Sequence, residues 1–77
     1  MLGDPSLNDE QLYSLANVFR MHIEGVARLS DKSISKEIAR ETRQFMKRSV
    51  TKSKELGINA RLIRKAIKLG IEAAKNY

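Results

Sequence analysis

The sequence predicts an all-α fold, a small bundle of three long helices or four, and three observations carry that prediction. No segment alternates apolar and polar residues far enough to make a strand. Apolar residues instead recur at three-and-four spacing along most of the chain, the period of a helix with one buried face. The only proline, Pro5, precedes every periodic segment, so nothing after it forbids a helix on covalent grounds.

The first helix start falls between Ser6 and Leu12. Asn8 can cap, Gln11 stands three residues on to complete a capping box, and Leu7 and Leu12 are spaced as a hydrophobic staple around the cap. The helix should run from about Asp9 to Arg28. Leu12, Leu15, Phe19, Val26 and Leu29 form its packing stripe, with His22 filling the one missing step. Residues 30–35, Ser30 to Ser35, offer several capping side chains before a second helix. Its expected inner face carries Ile38, Thr42, Phe45, Met46 and Val50, and its outer face Lys36, Arg40, Arg43 and Lys47. This helix either continues to Leu56 or breaks near Ser49, where the serine could cap a separate short helix. Gly57 is a natural left-handed stop, Ile58 can fold back on the preceding turn, and Asn59 can cap a last helix running to about Lys75.

A chain of 77 residues makes one domain, spanning residues 1–77. A core of this size supplies only about 3–5 kcal/mol, and chains this short often add a disulfide, a metal or a second subunit. There is no cysteine and only one histidine, so a disulfide is excluded and a metal cage is not expected. A homodimer is the remaining candidate. The last helix adds to that expectation: Leu62, Leu69 and Ala73 widen its apolar arc, as if for two neighbours, while Ala66, Gly70 and Ala74 form a small-residue row. No basic start leads into an apolar run, and no stretch is apolar enough to cross a bilayer, so a soluble, cytoplasmic protein with no membrane partner is expected. Catalysis finds no footing, because there is no nucleophile paired with a base, no glycine-rich phosphate loop and no acid dyad. Neither an enzyme nor a cofactor is expected.

Charge divides unevenly along the chain. Residues 1–35 carry three basic residues against five acidic ones, a balance of −2, while residues 36–77 carry twelve against four, a balance of +8. The second half is the expected contact surface for a polyanion. Within it, residues 50–70 meet the requirements of a helix-turn-helix. Gly57 suits the tight turn, Leu56, Ile58 and Ile63 can close the corner, and Ser53, four places before the glycine, is small. Asn59, Arg61, Arg64, Lys65 and Lys68 would project outward from the last helix. On the second helix, Lys36, Arg40, Arg43 and Lys47 could reach phosphates, although Glu37, Glu41 and Glu55 mix acids among its bases.

Thr51, Lys54, Leu56, Gly57, Ile63, Lys65, Ala66, Ile67 and Gly70 resemble the helix-turn-helix of the phage Cro repressors, and the run from Lys54 to Gly70 aligns without gaps. The likeness covers about a quarter of the chain, which here should end in helix without the repressors' C-terminal strand region. What it implies is a module that binds double-stranded DNA with its last helix in the major groove, as a transcriptional regulator or an architectural factor. The competing expectation is a helical module that binds an acidic protein partner and no nucleic acid. A basic amphipathic helix on an anionic membrane is a poorer fit, because the polar face lacks flanking aromatic anchors.

Overall fold

A computed structural model describes residues 7–76, which form α1 (Asp9–Leu29), α2 (Lys36–Glu55) and α3 (Ala60–Lys75), with no strand among the described residues. Pro5 and Ser6 lie outside the described residues. The start of α1 is built as its sequence requires: Asn8 Oδ1 accepts the Gln11 N–H at 2.8 Å, and Gln11 Oε1 accepts the Asn8 N–H at 2.9 Å. Gln11 does a second job. Its Nε2 donates to the Leu56 carbonyl at 2.8 Å, tying the beginning of α1 to the last turn of α2.

Between α1 and α2, Asp31 Oδ1 accepts from both the Ser33 N–H at 2.9 Å and the Ser33 hydroxyl at 2.7 Å. The N–H, and then the hydroxyl, hold the Asp31 carboxyl below its usual range, because both bonds favour the charged form. Ser35 then caps α2 by accepting the Ile38 N–H at 3.1 Å. This helix runs unbroken through Ser49, which settles the helix count at three among the described residues. Ser49 caps nothing, since its hydroxyl donates back to the Met46 carbonyl at 2.6 Å.

At the end of α2 the backbone forms a complete Schellman motif. The Ile58 N–H reaches the Ser53 carbonyl at 3.2 Å, the Gly57 N–H reaches Lys54 at 3.0 Å, and Gly57 takes φ +79. Asn59 follows at once as the cap of α3, its Oδ1 accepting the Arg61 N–H at 2.8 Å. Four residues thus end one helix and start the next.

Helix α1 is the centre of the fold, since α2 and α3 both pack on it and make few contacts with each other. Ser14 meets Ser53 at one end of the α1–α2 pair and Gly25 meets Met46 at the other, so α2 runs antiparallel to α1. The start of α3 is held at the Gln11 end of α1, and its Gly70 comes against Phe19 and His22. It therefore follows the direction of α1. Leu15, Val18, Ile58, Ile63 and Ala66 form the buried core where the α2–α3 turn closes over α1.

The α1–α2 contact corrects the expected inner face of α2. Ile38 and Phe45 point outward, 44% and 53% exposed, and the buried positions are Thr42, Ser49 and Ser53. The reason is close packing on small residues. Ser53 is fully buried with its hydroxyl 2.8 Å from that of Ser14, and Met46 lies so close to Gly25 that any Cβ there would overlap its sulfur. The small residue before the glycine therefore admits α1. Buried hydroxyls are tolerated because each is bonded: Thr42 donates to the Ile38 carbonyl at 2.7 Å, and no buried side-chain nitrogen or oxygen lacks a partner among the described residues. Helix α1 correspondingly buries a wider face than its apolar stripe, with Ser14, Val18 and Gly25 added to Leu15 and His22.

The wide apolar arc of α3 also turns out differently. Ile63, Ala66 and Gly70 are buried, and Leu62, Ile67, Ala73 and Ala74 are half-buried within the single chain. Only Leu69 of that arc is open, at 37%.

Candidate nucleic-acid interface

Two rows of cations face solvent. On α3, Arg61, Arg64, Lys65 and Lys68 are all exposed, and they recur at the spacing that keeps them on one side of a helix. Lys75, seven residues beyond Lys68, extends the row by two turns, and Glu72 is the one acid within it. Asn59 stands at the head of this helix, exposed. Its carbonyl oxygen is committed to the cap, so only its Nδ2 amide is left to donate outward.

On α2, Lys36, Arg40, Arg43, Lys47 and Lys54 follow one another at intervals of four, three, four and seven residues, all exposed. That spacing makes a straight stripe about 27 Å long, the axial length of about eight base pairs. The mixture of signs read from the sequence does not extend to it. At about 100° per residue, Glu37, Glu41 and Glu55 fall on the flank of the helix away from the stripe. Lys36, Arg40, Arg43 and Lys47 line a shallow trough of about 520 Å³ together with Ala39 and Gln44.

Arg43 and Lys47 line a hollow of about 280 Å³ whose other walls are His22, Met46 and Val50. His22 also supports α3, because a Cβ on Gly70 would stand 2.8 Å from the His22 Cβ. The hollow is therefore walled by α1 and α2, and one of its walls also packs against α3. Its histidine is a packing residue, 6% exposed, with Nδ1 2.8 Å from the Val18 carbonyl. A carbonyl can only accept, so Nδ1 carries the hydrogen. Among the described residues no three His, Cys, Asp or Glu side chains are grouped so as to hold a metal ion, and no helix is long and apolar enough to cross a membrane.

Of the residues singled out from the sequence, Arg61, Arg64, Lys65 and Lys68 form one surface, and Lys36, Arg40, Arg43 and Lys47 form another beside it. Lys54 and Lys75 belong to these surfaces and were missed. Each stands seven residues beyond the last member of its row, a signal present in the spacing. No protein-family model, curated protein or solved structure matches the chain.

Proposed function

We propose that the chain is a small DNA-binding protein, a transcriptional regulator or architectural factor, that seats α3 in the major groove as a helix-turn-helix does. The observation that carries this reading is the pair of exposed cationic rows, one on α3 and one on α2, ten bases with one acid among them. In this reading the α3 row meets the groove and the α2 stripe meets phosphates. The connection supports the same reading: Gly57 takes the left-handed turn, and Ile58 and Ile63 are buried at the corner. The length of α2 sets it apart, since 20 residues exceed what a helix-turn-helix needs for its first helix.

The chemistry divides between the rows. Arg64 and Lys65 stand one turn into α3, where a helix in the major groove directs side chains at base edges and an arginine can bond a guanine through two donors. Arg40, Arg43 and Lys47 are placed for phosphates, which position a protein without reading sequence. One such helix contacts few base pairs, so a two-fold dimer presenting two α3 helices about 34 Å apart is part of the proposal.

The test compares two substitutions on exposed residues. Arg64→Ala should cost about 1–3 kcal/mol on a selected site and little on random duplex. Lys47→Ala should weaken both equally and reduce the slope of log affinity against log salt by about one. If both variants bind every duplex as wild type does while correctly folded, the DNA reading fails and the acidic protein partner takes its place.

A further inference from the structure

The side of the α1–α2 hairpin turned away from the α2 cationic stripe is chemically different from the rest of the surface. Phe45 lies two residues from both Arg43 and Lys47, which places it on nearly the opposite side of α2. It is 53% exposed, and the Arg48 guanidinium carbon sits 5.8 Å from the centre of its ring. Phe45 borders a recess of about 230 Å³ lined by Met21, Glu24, Gly25, Arg28, Thr42 and Met46. Ile38, two turns earlier on the same side, is 44% exposed. The Cβ-less Gly25 and the pendant Met46 give this patch a concave floor beside a projecting aromatic ring.

Its charges are of mixed sign where those of the α2 stripe are not. Glu24 and Arg28 stand on the α1 edge, and Glu41, Arg48 and Lys52, at intervals of four, three and four around Phe45, stand on the α2 edge. That is two acids and three bases around an apolar centre.

We infer that this face pairs with the same face of a second copy of the chain, two hairpins closing into a four-helix bundle. Charge selects the occupant. The chain carries a net +6, so two copies repel each other wherever their basic surfaces meet. Around Phe45 they do not. An isologous two-fold contact sets each residue of the patch against its counterparts in the other copy, so Glu24 can face Arg28 of the partner and Glu41 its Arg48 or Lys52. An acidic protein would find a positive excess of only one charge here, against the five bases of the α2 stripe. The size is also sufficient. Two helices about 30 Å long lying side by side present a face of roughly 600 Å², close to the roughly 800 Å² per partner of a stable interface. Phe45 of one copy would enter the recess of the other between its Glu24, Arg28 and Thr42, burying the side chain that the monomer leaves open. The α2 cationic stripe stays outward in such a dimer, and the pairing does not depend on what the cationic rows bind.

Sedimentation equilibrium of the full chain, from about 1 to 500 μM, tests the pairing, with far-ultraviolet circular dichroism to confirm the fold. Wild type should reach twice the 8.8 kDa chain mass. Phe45→Glu should weaken association on the order of 100-fold or more, because it removes an aromatic anchor from both halves and puts two carboxylates at the centre. Should Phe45→Glu fold poorly, Ile38→Lys at an equally open position replaces it, with weakened association again expected. Glu24→Arg and Arg28→Glu should each weaken the dimer, and the two together should recover most of the loss. A wild-type chain that stays monomeric throughout overturns the inference, as does a folded Phe45→Glu variant that dimerises like wild type. Duplex binding measured on the same samples reads the cationic rows separately, so a failed dimer and a failed DNA reading give different results.

Discussion

Gly70 fixes how closely α3 lies on α1, and replacing it with alanine gives the most direct test of that packing. A Cβ at this position would stand 2.7 Å from the Phe19 carbonyl oxygen and 2.8 Å from the His22 Cβ, with the Ile23 nitrogen at 3.5 Å. Two of these atoms are backbone and the third is anchored to it, so none can rotate aside. Two effects oppose each other. Alanine favours the helix by about 1 kcal/mol over glycine in a helix interior. Overpacking a close contact costs about 1–3 kcal/mol, and rigid backbone neighbours place this case in the upper part of that range. The net expectation is a destabilisation of about 1–2 kcal/mol. In a domain of this size each kcal/mol moves the melting temperature by about 4–8 °C, so thermal unfolding followed by circular dichroism should show a fall of about 5–15 °C. An unchanged or raised melting temperature would refute the close α1–α3 contact, because propensity alone would then decide the outcome.

At Gly57 replacing the glycine acts by another mechanism. Nothing lies within 4 Å of a Cβ there, but φ is +79, so Gly57→Val should cost about 1–3 kcal/mol through backbone strain alone, and Gly57→Asn much less; equal melting temperatures for the two variants would contradict this. For Asp31, bonds from Ser33 lower the folded pKa, so its small stabilising effect is present above the unfolded pKa of about 3.9 and is lost as pH falls through the folded value. Carboxyl carbon shifts should place its midpoint low, and Ser33→Ala, which keeps the N–H and removes the hydroxyl, should raise that midpoint part of the way. If folding and dimerisation are linked, dilution should lower the melting temperature, and a melting curve independent of concentration would separate them.

What the sequence made legible follows from how local each signal is. Asn8 with Gln11, Gly57 with Ile58, and Asn59 each complete their hydrogen bonds within about five residues. The ends of α1 and α3 could therefore be read to within a residue, whereas the end of α2 was left open between Ser49 and Leu56. The inner face of α2 could not. Hydrophobic periodicity assigns large apolar residues such as Ile38 and Phe45 to the interior, whereas the α1–α2 pair approaches too closely for them and buries Ser49, Ser53 and Thr42. A hydroxyl that bonds to its own helix or to a facing serine behaves as a small filler, and a polarity scale does not register that. The row Ser14, Val18, Met21 and Gly25 on α1 was a legible sign of such an approach, at four-three-four spacing with small residues at both ends. For the candidate site, the outward direction of Arg61, Arg64, Lys65 and Lys68 was readable from helix period alone. How the α2 stripe lies relative to them depends on how both helices pack on α1, a long-range relation with no local signature.

The central claim, that the two cationic rows take the phosphates of a DNA duplex, is tested most directly by titrating a fluorescently labelled random duplex with the wild-type chain at several salt concentrations. If the α2 stripe and the α3 row together neutralise at least three phosphates, log affinity should fall linearly against log salt with a slope of about −3 or steeper. No measurable duplex binding at about 50 mM salt, or an affinity that does not change with salt, would contradict the claim.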